Sequence, residues 1–215
     1  MKNHIHNLIK QGEHQRLDFK FEIADSKKIA RTLVAFANTD GGKLLVGVKD
    51  NGSITGVRSE EEFYMVEGAA SMYCKPEVSF TTKEWNIEGK IILEINVPKS
   101  ELKPHSAPYK DDLWKVYIRV NDQNLLANKI LLIVWERKKR GKGTFVRYRD
   151  EEAHLLKLFE SEGRQSLNQI TKAIGINRKK AEQILVNFIM LGIIEMDITE
   201  KQSYYRLNLS SDEII

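Results

Sequence analysis

Apolar residues recur at Ile29, Ala30, Leu33, Val34 and Ala37, the period of a helix with one buried face, which predicts a helix over Lys27–Asn38. Gly41-Gly42 ends it, because glycine takes a positive φ without a Cβ clash. The pattern then changes. Leu44, Leu45, Val46 and Val48 form a short, mostly apolar strand, Asp50-Asn51-Gly52-Ser53 is a turn, and Ile54–Val57 returns as a hairpin arm. Leu17–Phe21 reads as a short strand upstream. Glu60–Cys74 reads as a helix capped by Ser59, with Glu60, Glu61 and Glu62 in the positive first turn and Pro76 closing the segment. Val78–Asn86 and Lys90–Val97 form an antiparallel pair about Glu88-Gly89, Val116–Val120 is another strand, and Asn128–Lys139 is a helix.

Gly141-Lys142-Gly143-Thr144 is polar, carries two glycines and marks a boundary. The expected organisation is a domain over residues 1–140, a basic linker over 141–149 and a smaller domain over 150–215. In the last part Asp150, Ser166 and Asn177 each cap a helix, the second over Leu167–Ala173 and the third running to Leu191, where Gly192 ends it. Ile193–Ile198 and Tyr204–Leu209 then pair as a hairpin around Glu200-Lys201-Gln202-Ser203. Helix, helix, turn, helix and hairpin, in that order, resemble a winged helix.

Composition narrows the field. At 215 residues, 41% hydrophobic and 30% charged, the chain suits a globular protein with room for two cores. No apolar run approaches the ~20 residues that cross a bilayer, and Met1-Lys2-Asn3-His4 has no signal core, so a cytoplasmic protein without a membrane partner is expected. A single Cys74 excludes an intrachain disulfide and a Cys-rich zinc site, and its apolar neighbours make it a packed thiol. The net charge of +4 matters less than its distribution. Arg137, Lys138, Lys139, Arg140, Lys142, Arg147 and Arg149 follow one another with no acidic residue among them, either a solvated helix end or a footprint for phosphate.

Gly12-Glu13-His14-Gln15-Arg16-Leu17-Asp18-Phe19-Lys20, then Ala35-Phe36-Ala37-Asn38-Thr39-Asp40-Gly41-Gly42 and Gly47-Val48-Lys49-Asp50, resemble the motifs of the Schlafen AlbA-like family. Lys103-Pro104-His105 and Val116-Tyr117-Ile118-Arg119-Val120 extend the resemblance over roughly Lys10 to Lys139. The family carries Glu-Phe-Lys where this chain has Asp18-Phe19-Lys20. The resemblance implies an α/β (α+β) fold, with a mixed or antiparallel sheet flanked by helices, and nucleic-acid binding. It also implies that, were the chain a nuclease, Glu13, Asp18 and Asp50 would be catalytic and hold Mg²⁺ or Mn²⁺, hard cations that activate water against a phosphodiester. A binding protein would need no cofactor.

Each candidate also has a structural reading. Asp50 opens a turn, where Asp bonds its own backbone; Glu13 suits an exposed position; Lys20, two positions after Asp18, shares its strand face and would pair with it or meet phosphate. Arg119 suits phosphate or a surface pairing opposite Asp50. Asn38 would satisfy groups at its helix end, and His4 and His6 lie on a terminus expected to be unstructured. Gly47 to Ser53 has the glycine spacing of half a P-loop but lacks the lysine and the following helix, so P-loop ATP hydrolysis is rejected. Arg178, Lys179 and Lys180 oppose the dipole of their helix, a local conflict that points to function, and Glu182, Val186 and Met190 lie on its outer side. Lys201 sits at the hairpin tip, within reach of a phosphate or a minor groove. The sequence therefore favours a homodimeric, DNA-binding transcriptional regulator, contacting nucleic acid through Lys20, Arg119, Arg137, Lys138, Lys139, Arg140, Arg178, Lys179, Lys180 and Lys201. A metal-dependent endoribonuclease acting on RNA and a protein-interaction scaffold are the alternatives.

Overall fold

The computed structural model describes residues 2–57, 61–110, 113–141 and 143–208. The chain divides into two compact units, Met1–Ala127 and Asn128–Ile215. The first contains α1 (Lys2–Gln11), β1 (Leu17–Lys20), α2 (Ser26–Asn38), β2 (Gly42–Val46), α3 (Glu61–Met72), β3 (Thr81–Ile87), β4 (Lys90–Val97), β5 (Ser106–Lys110), β6 (Leu113–Val120) and β7 (Gln123–Leu126). One sheet has the order β1-β2-β4-β3, with β1 parallel to β2 and the other pairs antiparallel. A second, antiparallel sheet has the order β5-β6-β7. This is the α+β architecture with mixed and antiparallel sheets that the sequence implied.

Both faces of the first sheet are covered, which explains the continuous apolar run in β2. Leu44 and Val46 join Leu93 and Ile95 of β4 in a core with Leu33, Phe36 and Ala37 of α2 and Val66 and Ala69 of α3. Leu45 faces the other way, into a core with Leu17, Phe19, Ile92 and Ile5 of α1. The expected unstructured N-terminus is therefore a helix. Its signal was present in Ile5, Leu8 and Ile9, which share one helical face, but short polar stretches masked it. The hairpin expected at Ile54–Val57 shrinks to one bridge, Val48 with Ile54. Two strands, β5 and β7, were not anticipated; after β6 the chain turns at Asn121, with φ 55°, into β7. The expected cap Ser59 and the hairpin end Leu209 lie outside the described residues.

The second unit contains α4 (Lys129–Lys139), α5 (Asp150–Glu162), β8 (Gln165–Ser166), α6 (Leu167–Ile174), α7 (Arg178–Met190), β9 (Ile194–Ile198) and β10 (Ser203–Leu207), with an antiparallel sheet in the order β8-β10-β9. Ser166 and Asn177 cap α6 and α7 as expected, whereas α5 starts at Asp150 itself, after Arg149. The boundary differs from the expected Gly141. Ile130 and Val134 of α4 are buried with Leu155, Ile184, Leu185, Val186 and Phe188, so α4 belongs to the second core. The same packing corrects the expectation that Glu182 and Val186 face outward: both are buried, and Lys129 Nζ lies 2.5 Å from Glu182 Oε2. Among the described residues, no helix is long and apolar enough to cross a membrane.

Candidate nucleic-acid interface

Strand β1 delivers Asp18 and Lys20 to the face that carries α2, since alternate residues of a strand share a side. Asp18 is buried. Its Oδ1 accepts from Arg119 Nη2 at 3.1 Å, and Lys20 Nζ stands 2.9 Å from Oδ2, without hydrogen-bond geometry. Glu13 joins them through the backbone: its Oε1 accepts the Phe19 N–H at 2.8 Å and lies 3.9 Å from Lys20 Nζ. Burial, and then the adjacent Asp18 carboxylate, raise the Glu13 carboxyl above its ordinary value, against the pull of the Phe19 N–H. Asp50 does not join this group. It is exposed in the turn after Val48, and the Asx bond there is made by its neighbour, Asn51 Oδ1 accepting from Ser53 N at 3.0 Å.

Among the described residues, no three His, Cys, Asp or Glu side chains come together as a metal site. Asp18 is engaged by two cations, Glu13 by a backbone N–H, and Asp50 is exposed apart from both. Acids so placed do not fit a shared three-carboxylate Mg²⁺ or Mn²⁺ site.

Arg119, expected at the surface against phosphate, is only 2% exposed. Its guanidinium donates to Leu17 O at 3.1 Å, Asn124 Oδ1 at 3.1 Å and His14 O at 3.4 Å as well as to Asp18, and it lies 5.2 Å from the centre of the Phe36 ring. It joins β6, β7, β1 and α2. Lys20 likewise pairs rather than standing free. Asn38 is structural, as expected, but across a longer range. It donates to His105 O and Tyr117 O and accepts from His105 N, each at 2.8 Å, pinning α2 to β6 and to the residue that leads into β5. Gly41 has φ +69°, and a Cβ there would meet Lys99 N and Val97 O at 2.8 Å, so the close approach needs glycine.

Two features escaped the sequence reading. Glu94 on β4 is buried beneath α1, where it receives Lys43 Nζ, Trp85 Nε1 at 2.7 Å and His4 Nε2 at 3.2 Å. Burial alone would raise its pKa; the bonds from Lys43, Trp85 and His4 outweigh it and hold the carboxyl below the ordinary value. Nothing local marks an alternating strand residue such as Glu94 as buried, because its cover comes from 90 residues away. A cleft of about 510 Å³ also opens beside Gly41-Gly42, lined by His14, Arg16, Lys43 and Lys99 among others. Cys74 is buried, and burial followed by nearby Glu77 pushes its thiol up to about 12.

In the second unit, Lys138, Lys139 and Arg140 are exposed at the end of α4, where cations suit the helix dipole. Arg140 pairs with Glu136, and half-buried Arg137 donates to Asn187 Oδ1 at 2.7 Å. Arg147 and Arg149 are exposed before α5; Lys142 lies outside the described residues. Of the three cations opening α7, Arg178 donates to Glu182 Oε1 at 3.1 Å and Lys180 lies 3.9 Å from Glu152, while Lys179 is exposed. The structure thus compensates much of the local charge conflict. Lys201 is exposed in the turn between β9 and β10.

The family model of Schlafen, AlbA_2 matches residues 13–128, more than half of the chain, and the chain belongs to that family. Membership links it to nucleic-acid association. Among solved structures it is similar to the DIP2311 protein of Corynebacterium diphtheriae, at 22% identity and a TM-score of 0.46, over 61% of this chain and 28% of that one. It is also similar to the N-terminal domain of a putative ATP-dependent DNA helicase RecG-related protein of Nitrosomonas europaea, at 22% identity and a TM-score of 0.40, over 58% of this chain and 95% of that one. The chain thus spans 28% of the DIP2311 chain, under a third of its length.

Proposed function

We propose that the protein binds nucleic acid through its second unit and acts as a DNA-binding transcriptional regulator, working as a homodimer on two-fold symmetric sites. The observation that carries this reading is the basic edge from Arg137 to Arg149, exposed at Lys138, Lys139, Arg140, Arg147 and Arg149 and free of acidic residues. The second unit is read as a winged helix, with α7 as the recognition helix and the β9–β10 turn as the wing. The order α5, α6, α7 and the antiparallel β8-β10-β9 sheet support that reading. Because α4 covers one side of α7, few of its residues remain exposed, among them Arg178, Lys179 and Gln183. Phosphate contacts along the basic edge would then supply most of the affinity and α7 a smaller share of base reading.

Fluorescence anisotropy of a labelled duplex across a salt series tests the proposal. Each phosphate neutralised contributes about −0.9 to the log–log slope on duplex DNA, so four or more exposed cations are expected to give a slope steeper than about −3. A flat slope would reduce the basic edge to solvated surface. Mn²⁺-dependent cleavage of RNA or DNA that Glu13→Gln, Asp18→Asn and Asp50→Asn each abolish would replace the regulator by the nuclease.

A further inference from the structure

The connection between α4 and α5 carries more than charge. Phe145 is 100% exposed and Tyr148 is 67% exposed, in a short stretch that also holds Arg147 and Arg149. A connection that merely joined two helices would have no use for a bare phenylalanine ring. Nor is the segment detached from the fold: Val146, next to Phe145, packs against the core of the second unit. The backbone is anchored there, and the aromatic side chains are left outside. Phe145 also lines a cleft of about 240 Å³ with Arg137, Arg140, Gly143, Thr144 and Asn187, so the segment that carries its ring runs beside the basic end of α4.

We infer that this segment is a stacking platform for an unpaired nucleic-acid strand, with bases on Phe145 and Tyr148 and the backbone on Lys138, Lys139, Arg147 and Arg149. The inference rests on the reading that the basic edge meets phosphate, and goes beyond it by giving that edge an unpaired strand as a second occupant besides the duplex. Charge selects the occupant. Seven basic residues without an acidic one oppose docking of a second copy of the same edge and favour a polyanion. The rings select within polyanions. In a duplex the base faces are already stacked, so a ring on a surface loop gains little from them; an unpaired strand offers them freely. Phe145 and Tyr148 are three residues apart, a reach of at most ~10 Å, so both rings can serve one short strand.

The test uses the full chain and fluorescence anisotropy with a labelled mixed-sequence oligomer, single-stranded as DNA and as RNA, and with the matching DNA duplex. Phe145→Ala and Tyr148→Ala are expected to weaken binding of the single strand by about 5- to 150-fold each, the range of one lost base stack. Duplex affinity and the salt slope should stay at wild-type values. Phe145→Trp should retain binding and show fluorescence quenched by the bound strand, whereas Phe145→Leu should lose binding although it keeps the bulk. The DNA and RNA arms distinguish the two sources of such a strand, and the loss in either supports the platform. Single-strand binding by wild type that both alanine variants retain would overturn the platform and leave the proposed function standing. Absence of binding to any oligomer would overturn both. Association with anionic lipid vesicles that depends on Phe145, without a ring-dependent strand affinity, would assign the rings to a membrane surface and overturn the platform.

Discussion

Arg119 shows how far a residue's role can lie from what its neighbours in sequence suggest. Between two branched apolar residues at a strand end, it read as an exposed phosphate ligand; folded, it is buried on Asp18 and three backbone or side-chain oxygens. Replacing it with alanine leaves a buried carboxylate without its main partner, and the expected loss is about 3–5 kcal/mol of stability. Lysine should not restore it, because one ammonium cannot reproduce the planar fork. Urea unfolding of the variants checks this, and a loss below about 1 kcal/mol would mean the guanidinium is not a structural hub. Glu94 makes a pH-dependent version of the same point. Its folded pKa is lowered, so its contribution is present above the unfolded value near 4.5 and fades as pH falls through the folded one. Glu94→Gln is expected to cost about 1.5–3 kcal/mol at pH 7, the range for hydrogen bonds to a charged group, and the difference from wild type should close as pH falls from 4.5 through the lowered folded value. A pH-independent difference in melting temperature would contradict the assignment.

At the scale of elements, periodicity and capping carried well and long-range cover did not. α2, β2, β4 and α7 fall within a residue or two of expectation, because each has a strong apolar period and a glycine, Asp or Asn at an end. α1 and β7 were missed, because their sequences are polar and they owe their order to the sheets they join. The candidate site was legible as a set of residues and less so as an arrangement. Glu13, Asp18 and Lys20 do come together, yet Asp50 stays out and Arg119 comes in, and only pairing across more than 100 residues decides that. Helix α7 separates two kinds of cation. Arg178 is bound to Glu182, which also holds Lys129, whereas Lys179 is exposed. Lys179→Ala is therefore expected to weaken duplex binding by about 1 kcal/mol or more at unchanged stability, and Arg178→Ala to lower both, since it releases one partner of a buried carboxylate. Paired anisotropy and thermal-melt measurements separate the two, and equal behaviour of both variants would contradict the distinction.

For the whole molecule, the decisive correction is the place of α4. A glycine-rich, basic stretch has the composition of a linker, and that composition set the expected boundary at Gly141. The boundary is instead Ala127/Asn128, where the chain leaves β7 and Asn128 caps α4 through a bond from Leu131 N to its Oδ1 at 2.8 Å. Burial of Ile130 and Val134, and the ties from Lys129 to Glu182 and Arg137 to Asn187, are worth more to a small core than any loop preference. A fragment of residues 128–215 is thus expected to unfold cooperatively with a helical circular-dichroism signal. One of residues 141–215 should not, because it loses two buried side chains, each worth about 2–5 kcal/mol on truncation, from a core with little to spare. Equal melting of the two fragments would return α4 to the first unit. The same experiment bears on function, since the basic edge becomes a feature of the second unit's own surface rather than of a linker. The longer fragment is expected to keep most of the salt-dependent affinity of the whole chain for nucleic acid, and affinity confined to a fragment of residues 1–127 would move the interface to the cleft beside Gly41-Gly42.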